Sequence, residues 1–185
     1  PTLASVFDLV NRLGAHNIQF DIETKINPHY PKSTLEPEIF IQTLLRVFRQ
    51  YGLTNRIMVQ SFDWRTLQIL HREAPEVRTM YLTLDFPDYS TINDPAWTAG
   101  YSLASYGDSV PKMIKASSGN APGVIWAPHY INLTTEKLKE AHDLGLLVIP
   151  WTVNKAELMR NLIDWKVDGI ITDYPDLLRN VMIEK

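Results

Sequence analysis

Cysteine is absent from the 185 residues. That removes disulfides, cysteine nucleophiles and zinc–thiolate centres, and it leaves periplasm and cytoplasm equally open as compartments. There is no apolar run of about eighteen residues, so no transmembrane helix and no stable membrane insertion are expected. The opening stretch PTLASVFDLV has neither the basic region nor the cleavage site of a secretory signal. The formal net charge is only -3, too small a field to draw nucleic acid or an anionic surface. The Gly-rich pattern G-x-G-x-x-G, which cradles a dinucleotide pyrophosphate, does not occur.

What is present is a globular composition, 45% hydrophobic and 21% charged, sufficient for one core. Read by period, the chain alternates helices and strands. Residues 5–13 carry apolar side chains at helical spacing, and residues 17–23 alternate as a strand. A helix is expected over 36–52, with Pro37 at its start and Gly52 at its stop. Strands follow at 56–62, 79–85, 123–128, 146–153 and 168–173. Helices are expected at 64–74, with Asp63 as cap, and at 109–118 and 135–145. Another is expected at 155–165, with Asn154 and Glu157 as a capping box, and a last one from Pro175, capped by Asp173. His71 and His142 fall within helices and read as solvated.

Alternating βα units imply a parallel sheet with right-handed crossovers. Polar residues gather at the C-terminal strand ends (Glu23, Gln60, Asp85, Trp151, Asp173), where a (β/α)8 barrel keeps its chemistry. The expectation is therefore a TIM barrel that is incomplete, with about six βα units where a barrel has eight. The chain opens at Pro1 and with a helix, so two further units are expected upstream.

In NIQFDIETK (residues 17–25), Ile18, Phe20 and Ile22 alternate with Gln19, Asp21, Glu23 and Lys25. In a barrel, the first set would pack under the helices and the second would face inward. Glu23 and Lys25 would then stand at the mouth, where charges are costly unless paired or held by a ligand. Gln60 faces inward by parity with Phe62. Trp126 and His129 follow the apolar run of their strand and are candidates to reach the mouth; the alternative reading is a core Trp and a surface His. Residues 86–108 form a long segment containing Phe86, Tyr89, Trp97, Tyr101 and Tyr106. Such a length with so many aromatics reads as an ordered loop covering the mouth, or as a satellite core beside it.

Four motifs, FDIETK, VQSFD, IPWTVN and DGIITDYPD, stand in this order and spacing. Together they closely resemble the later two-thirds of the glycerophosphodiester phosphodiesterase family. The resemblance implies a (β/α)8 barrel that hydrolyses glycerophosphodiesters to glycerol 3-phosphate and an alcohol, with a divalent cation, Mg2+ or Ca2+. Carried over by position, Glu23 matches a metal ligand, Lys25 the lysine at the substrate phosphate, and Trp151 an aromatic of the substrate pocket. Gln60 and Trp126 join the substrate-binding candidates. The family's His-Arg, Glu-x-Asp and His-Asp motifs have no counterpart here. They supply the other ligands and the acid–base histidines, so the chain alone is expected to be inactive without the missing N-terminal segment of the same protein. The alternative is a non-catalytic phosphodiester- or sugar-binding barrel.

Overall fold

Helix α1 (Leu3–Arg12) starts on its own side chains. Thr2 Oγ1 accepts from the Ser5 N–H at 3.2 Å, and Ser5 Oγ accepts from the Thr2 N–H at 3.0 Å. This reciprocal cap satisfies donors that a helix N-terminus otherwise leaves bare. The computed structural model describes residues 1–184. After α1 come strand β1 (Phe20–Glu23), helix α2 (Pro37–Tyr51), β2 (Ile57–Ser61), α3 (Trp64–Glu73) and β3 (Arg78–Thr83). A small antiparallel hairpin, β4 (Asp85–Phe86) with β5 (Tyr89–Ser90), leads to α4 (Val110–Ser117). Then follow β6 (Ile125–Pro128), α5 (Thr135–Asp143), β7 (Leu147–Val148), α6 (Ala156–Trp165) and α7 (Pro175–Ile183). Helix α2 stops at Gly52, whose φ of 63° is the left-handed cap a glycine adopts without strain.

Strands β1, β2, β3, β6 and β7 lie side by side in that order, all parallel. Parallel neighbours in sequence order, each returned by a helix, make an arc of a (β/α) barrel. The side chains divide into two apolar layers. Phe20, Val59, Tyr81, Trp126 and Val148 pack outward against helix residues such as Phe7, Phe48, Leu67 and Met113. Met80, Leu82, Ile125 and Ala127 pack inward, with Met58, Phe62, Ile149, Trp151 and Ile171 against them. Phe20 and Phe7 meet edge to face at 4.8 Å, which fastens α1 over β1. Ile18, expected under the helices, instead lies two residues ahead of β1 and is 46% exposed.

Several local expectations change. The strand foreseen at 168–173 does not form a regular ladder. It runs beside β7 with bonds from Asp168 N–H to the Val148 carbonyl (2.9 Å) and from Ile171 N–H to the Pro150 carbonyl (3.0 Å). Pro150 has no N–H to give back, and the Val148 N–H is taken by the Asp168 carboxylate at 2.7 Å. Asn154 does not cap α6, whose N-cap is Lys155 without a side-chain bond. Its amide instead donates to Asp173 (2.7 Å) and accepts from Thr172 and the Asp173 N–H. Asp173 is thereby used up as a partner of Asn154, and the N-cap of α7 is Tyr174. His71 is half-buried, its Nε2 at 3.2 Å from both the Tyr81 hydroxyl and Thr79 Oγ1. Asp63 does cap α3, and Arg65 grips the same carboxylate.

Candidate active site at the strand ends

Glu23 and Gln60 are direct cross-strand neighbours at the C-terminal ends of β1 and β2. With Lys25, Phe62, Leu82, Trp151, Thr152 and Ile171 they line a cleft of about 280 Å3. Four of the five sequence candidates therefore converge. Lys25 Nζ lies 3.1 Å from Glu23 Oε2, with the lysine side chain 81% exposed and the glutamate 22%. So exposed a pair contributes little to folding.

Gln60 is different. Its Oε1 is buried and has no hydrogen-bond partner among the described residues. A buried acceptor without a donor costs free energy on the order of 1–3 kcal/mol. A ligand hydroxyl or a cation would satisfy it.

The residue between Glu23 and Lys25 fixes the pair. Thr24 points to the opposite side and is 2% exposed. Its N–H donates to the Gln60 carbonyl (2.9 Å), its hydroxyl meets Thr66 on α3 (3.0 Å), and its carbonyl accepts from Ser61 (3.3 Å). Thr24, Ser61 and Thr66 escape a reading of the sequence, because short hydroxyl side chains carry no periodic signal. Phe62 was legible by its parity with Gln60.

Trp151 closes the far wall. Its indole N–H donates to the Ala127 carbonyl at 2.8 Å, and its ring stands edge to face with Phe62 at 5.5 Å and with His129 at 5.0 Å. The peptide between Trp151 and Thr152 is cis. Phe86 of the hairpin packs on His129 at 5.0 Å. Burial lowers the His129 pKa from its ordinary value, favouring the neutral ring.

Trp126 does not belong to this cleft. It is 1% exposed, lies in the helix-facing layer, and its indole N–H donates to Thr83 Oγ1 at 2.8 Å. Its neighbours Ile125 and Ala127 take the inward positions, so strand parity turns Trp126 away. The expectation that it binds substrate is replaced by a core role.

The segment 86–108 splits in two. Trp97, 7% exposed, meets Phe62 at 6.4 Å and His29 at 6.1 Å, both rings edge to face. Tyr101 stacks on Tyr106 and lies beside Gln68, His71 and Ser117, on the helix side of the sheet.

For a hard divalent cation, the donor chemistry fits in part. A carboxylate and a carboxamide oxygen are suitable, but six or more oxygens are wanted. No group of three or more His, Cys, Asp or Glu that could hold a metal occurs among the described residues.

A larger cavity, about 690 Å3, opens between Asp21 on β1 and the Ile170–Thr172 segment, walled by Leu178 and Met182 of α7. Although Asp21 opens to the cavity and is exposed, partial desolvation by the surrounding walls, with the Glu23 charge added, pushes its carboxyl up to about 7. The larger space is the gap in the arc, and Glu23, Lys25, Gln60 and Trp151 line the smaller one.

Residues 1–177 match the sequence profile of the glycerophosphoryl diester phosphodiesterase family. A Mycobacterium tuberculosis protein carrying the name of a glycerophosphodiester phosphodiesterase is 43% identical over 185 residues, 100% of this chain and 61% of its own. The glycerophosphodiester phosphodiesterase of Bacillus subtilis is 30% identical over 183 residues, 98% of this chain and 53% of its own. Among solved structures, a Silicibacter pomeroyi protein assigned to the glycerophosphoryl diester phosphodiesterases is 32% identical, with a TM-score of 0.78. That match covers 100% of this chain and 56% of the other. The chain thus spans a little over half the length of these relatives. An arc of parallel βα units with Glu23, Lys25 and Trp151 at its mouth, and a profile match along nearly all of it, place the chain in the glycerophosphoryl diester phosphodiesterase family.

Proposed function

We propose that these residues form most of a metal-dependent phosphoric diester hydrolase, which releases glycerol 3-phosphate and an alcohol from glycerophosphodiesters. The observation that carries the reading is the orphaned Gln60 Oε1 beside the Glu23–Lys25 pair. A salt bridge alone has no use for an unmatched acceptor next to it. A bound polyol phosphate has a hydroxyl for Gln60 and an anionic group for Lys25.

In this reading, Lys25 holds the phosphate and offsets charge that builds on its oxygens during displacement. Gln60 accepts a hydrogen bond from a glycerol hydroxyl and orients the ester. Trp151 and Phe62 flank the apolar edge of the substrate and exclude water. Glu23 is the ligand for Mg2+ or Ca2+, with Gln60 as a second oxygen within reach of the same cleft. The cation, when bound, neutralises the phosphodiester and activates the attacking hydroxyl or water.

The remaining ligands and the acid–base groups come, on this proposal, from an upstream segment of the same protein. The gap between β1 and the 170–172 segment would seat it. The outer edge of β1 has no strand partner among the described residues, and apolar Met182 stands 64% exposed beside it.

The test is glycerol 3-phosphate release from glycerophosphocholine by the full-length protein, with a chelator or with added Mg2+, Ca2+ or Mn2+. Metal-dependent release is expected. Binding of the diester without release under any of these metals would favour a non-catalytic binding barrel instead.

A further inference from the structure

Two loops meet beside Phe62, and His29 joins them. The first loop follows β1 and carries Lys25. The second is the 86–108 segment after β3. His29 Nε2 lies 2.6 Å from Asp94 Oδ2. The other carboxylate oxygen of Asp94 accepts from the Ala96 N–H at 3.0 Å, which fixes its direction and holds its pKa below the usual range. On the other side, the His29 N–H donates to Asn27 Oδ1 at 2.9 Å. His29 also stands edge to face with Trp97, three residues beyond Asp94. Trp97 in turn touches Phe62, a wall of the cleft, and its carbonyl accepts from the Trp64 N–H at the start of α3.

We infer that His29 and Asp94 are positioning residues. Their bond couples the aromatic segment that backs Phe62, a wall of the cleft, to the segment that presents Lys25, so that the two loops open and close together. The side chains are 52% and 34% exposed, and a surface pair of this kind adds little to global stability. Its effect is local. Without it, Trp97 loses a ring neighbour and the turn after Lys25 loses its tether to the second loop. Loops drawn from the low-stability end of a fold are those whose opening sets substrate capture.

The kinetic consequence rests on the phosphodiesterase reading; the coupling itself does not. The experiment is therefore hydrogen exchange on the full-length protein, followed by kinetics on the same samples. His29→Ala, Asp94→Ala and the double variant are compared with wild type. Each single change is expected to speed exchange in both 26–36 and 86–108, and the double variant to be no faster than either single one, the non-additivity of residues that act as a unit. On glycerophosphocholine, KM should rise about fivefold with a smaller change in kcat, within the range that such pair couplings span. His29→Gln and Asp94→Asn keep a donor and an acceptor; they should restore most of the wild-type behaviour, and they serve if the alanine variants fold poorly. Exchange that speeds only in the mutated loop, or effects that add in the double variant, would overturn the coupling; coupled exchange with unchanged KM would overturn the positioning role.

Discussion

Glu23 and Gln60 face each other across two parallel strands, one carboxylate engaged by Lys25 and one amide oxygen without a partner among the described residues. If Glu23 is a metal ligand, Glu23→Gln removes the charge but keeps the shape. Activity should fall strongly and recover in part as the metal concentration is raised. Titration calorimetry with Mg2+ or Ca2+ checks the cause; unchanged metal affinity in the variant would reduce Glu23 to an ion-pair partner.

Lys25 is so exposed that its loss should leave the fold nearly untouched. Its proposed work is on the charged transition state. Lys25→Met should lower kcat/KM by roughly a hundredfold, the scale of removing one preorganised donor, while the melting temperature stays close to wild type. Melting that drops steeply with activity per folded molecule intact would assign Lys25 to structure.

Two groups should leave opposite marks on stability against pH. Burial lowers the His71 pKa, so the folded state favours the neutral ring. That stability is present above the unfolded value near 6.5 and is lost as pH falls below it. Asp21, raised to about 7, binds its proton more tightly when folded, so its contribution is lost as pH rises from about 4 through 7. Urea midpoints from pH 4 to 8 separate them. The difference between wild type and His71→Gln should grow toward alkaline pH, and that between wild type and Asp21→Asn should run the other way. Parallel curves for either variant would refute its assignment.

The aromatic segment should divide by function. Trp97→Ala alters a ring against Phe62 at the cleft and should shift preference among glycerophosphodiesters with different alcohol groups. Tyr101→Ala acts on the helix side beside His71 and should lower the melting temperature without changing preference. Equal losses on every substrate from Trp97→Ala would make the whole segment packing.

Residues 1–185 by themselves should release no glycerol 3-phosphate from glycerophosphocholine with Mg2+, Mn2+ or Ca2+. Addition of the upstream segment, fused or as a separate peptide, should restore turnover. Substantial turnover by the purified chain would require acid–base work by His29 or His129.

The inward column on β1 was legible because FDIETK alternates polar and apolar residues, and a period of two reports two unlike faces. Trp126 was not, because GVIWAP is apolar throughout and a strand buried on both faces carries no parity signal. The segment at 168–173 reads as a strand, but the Asp168 carboxylate captures the N–H that a ladder would use, and propensity is blind to that competition. Asn154 has the residue type of a cap and spends its amide on Asp173 instead. His71 follows Leu67 by four positions, on the buried face of α3, so helical spacing already argued against a solvated ring.

The reciprocal cap of Thr2 and Ser5 has a meaning beyond helix α1. Because that helix end closes on its own side chains, its start is written into two residues three apart in the chain, and the helix can form before β1 is there to receive it.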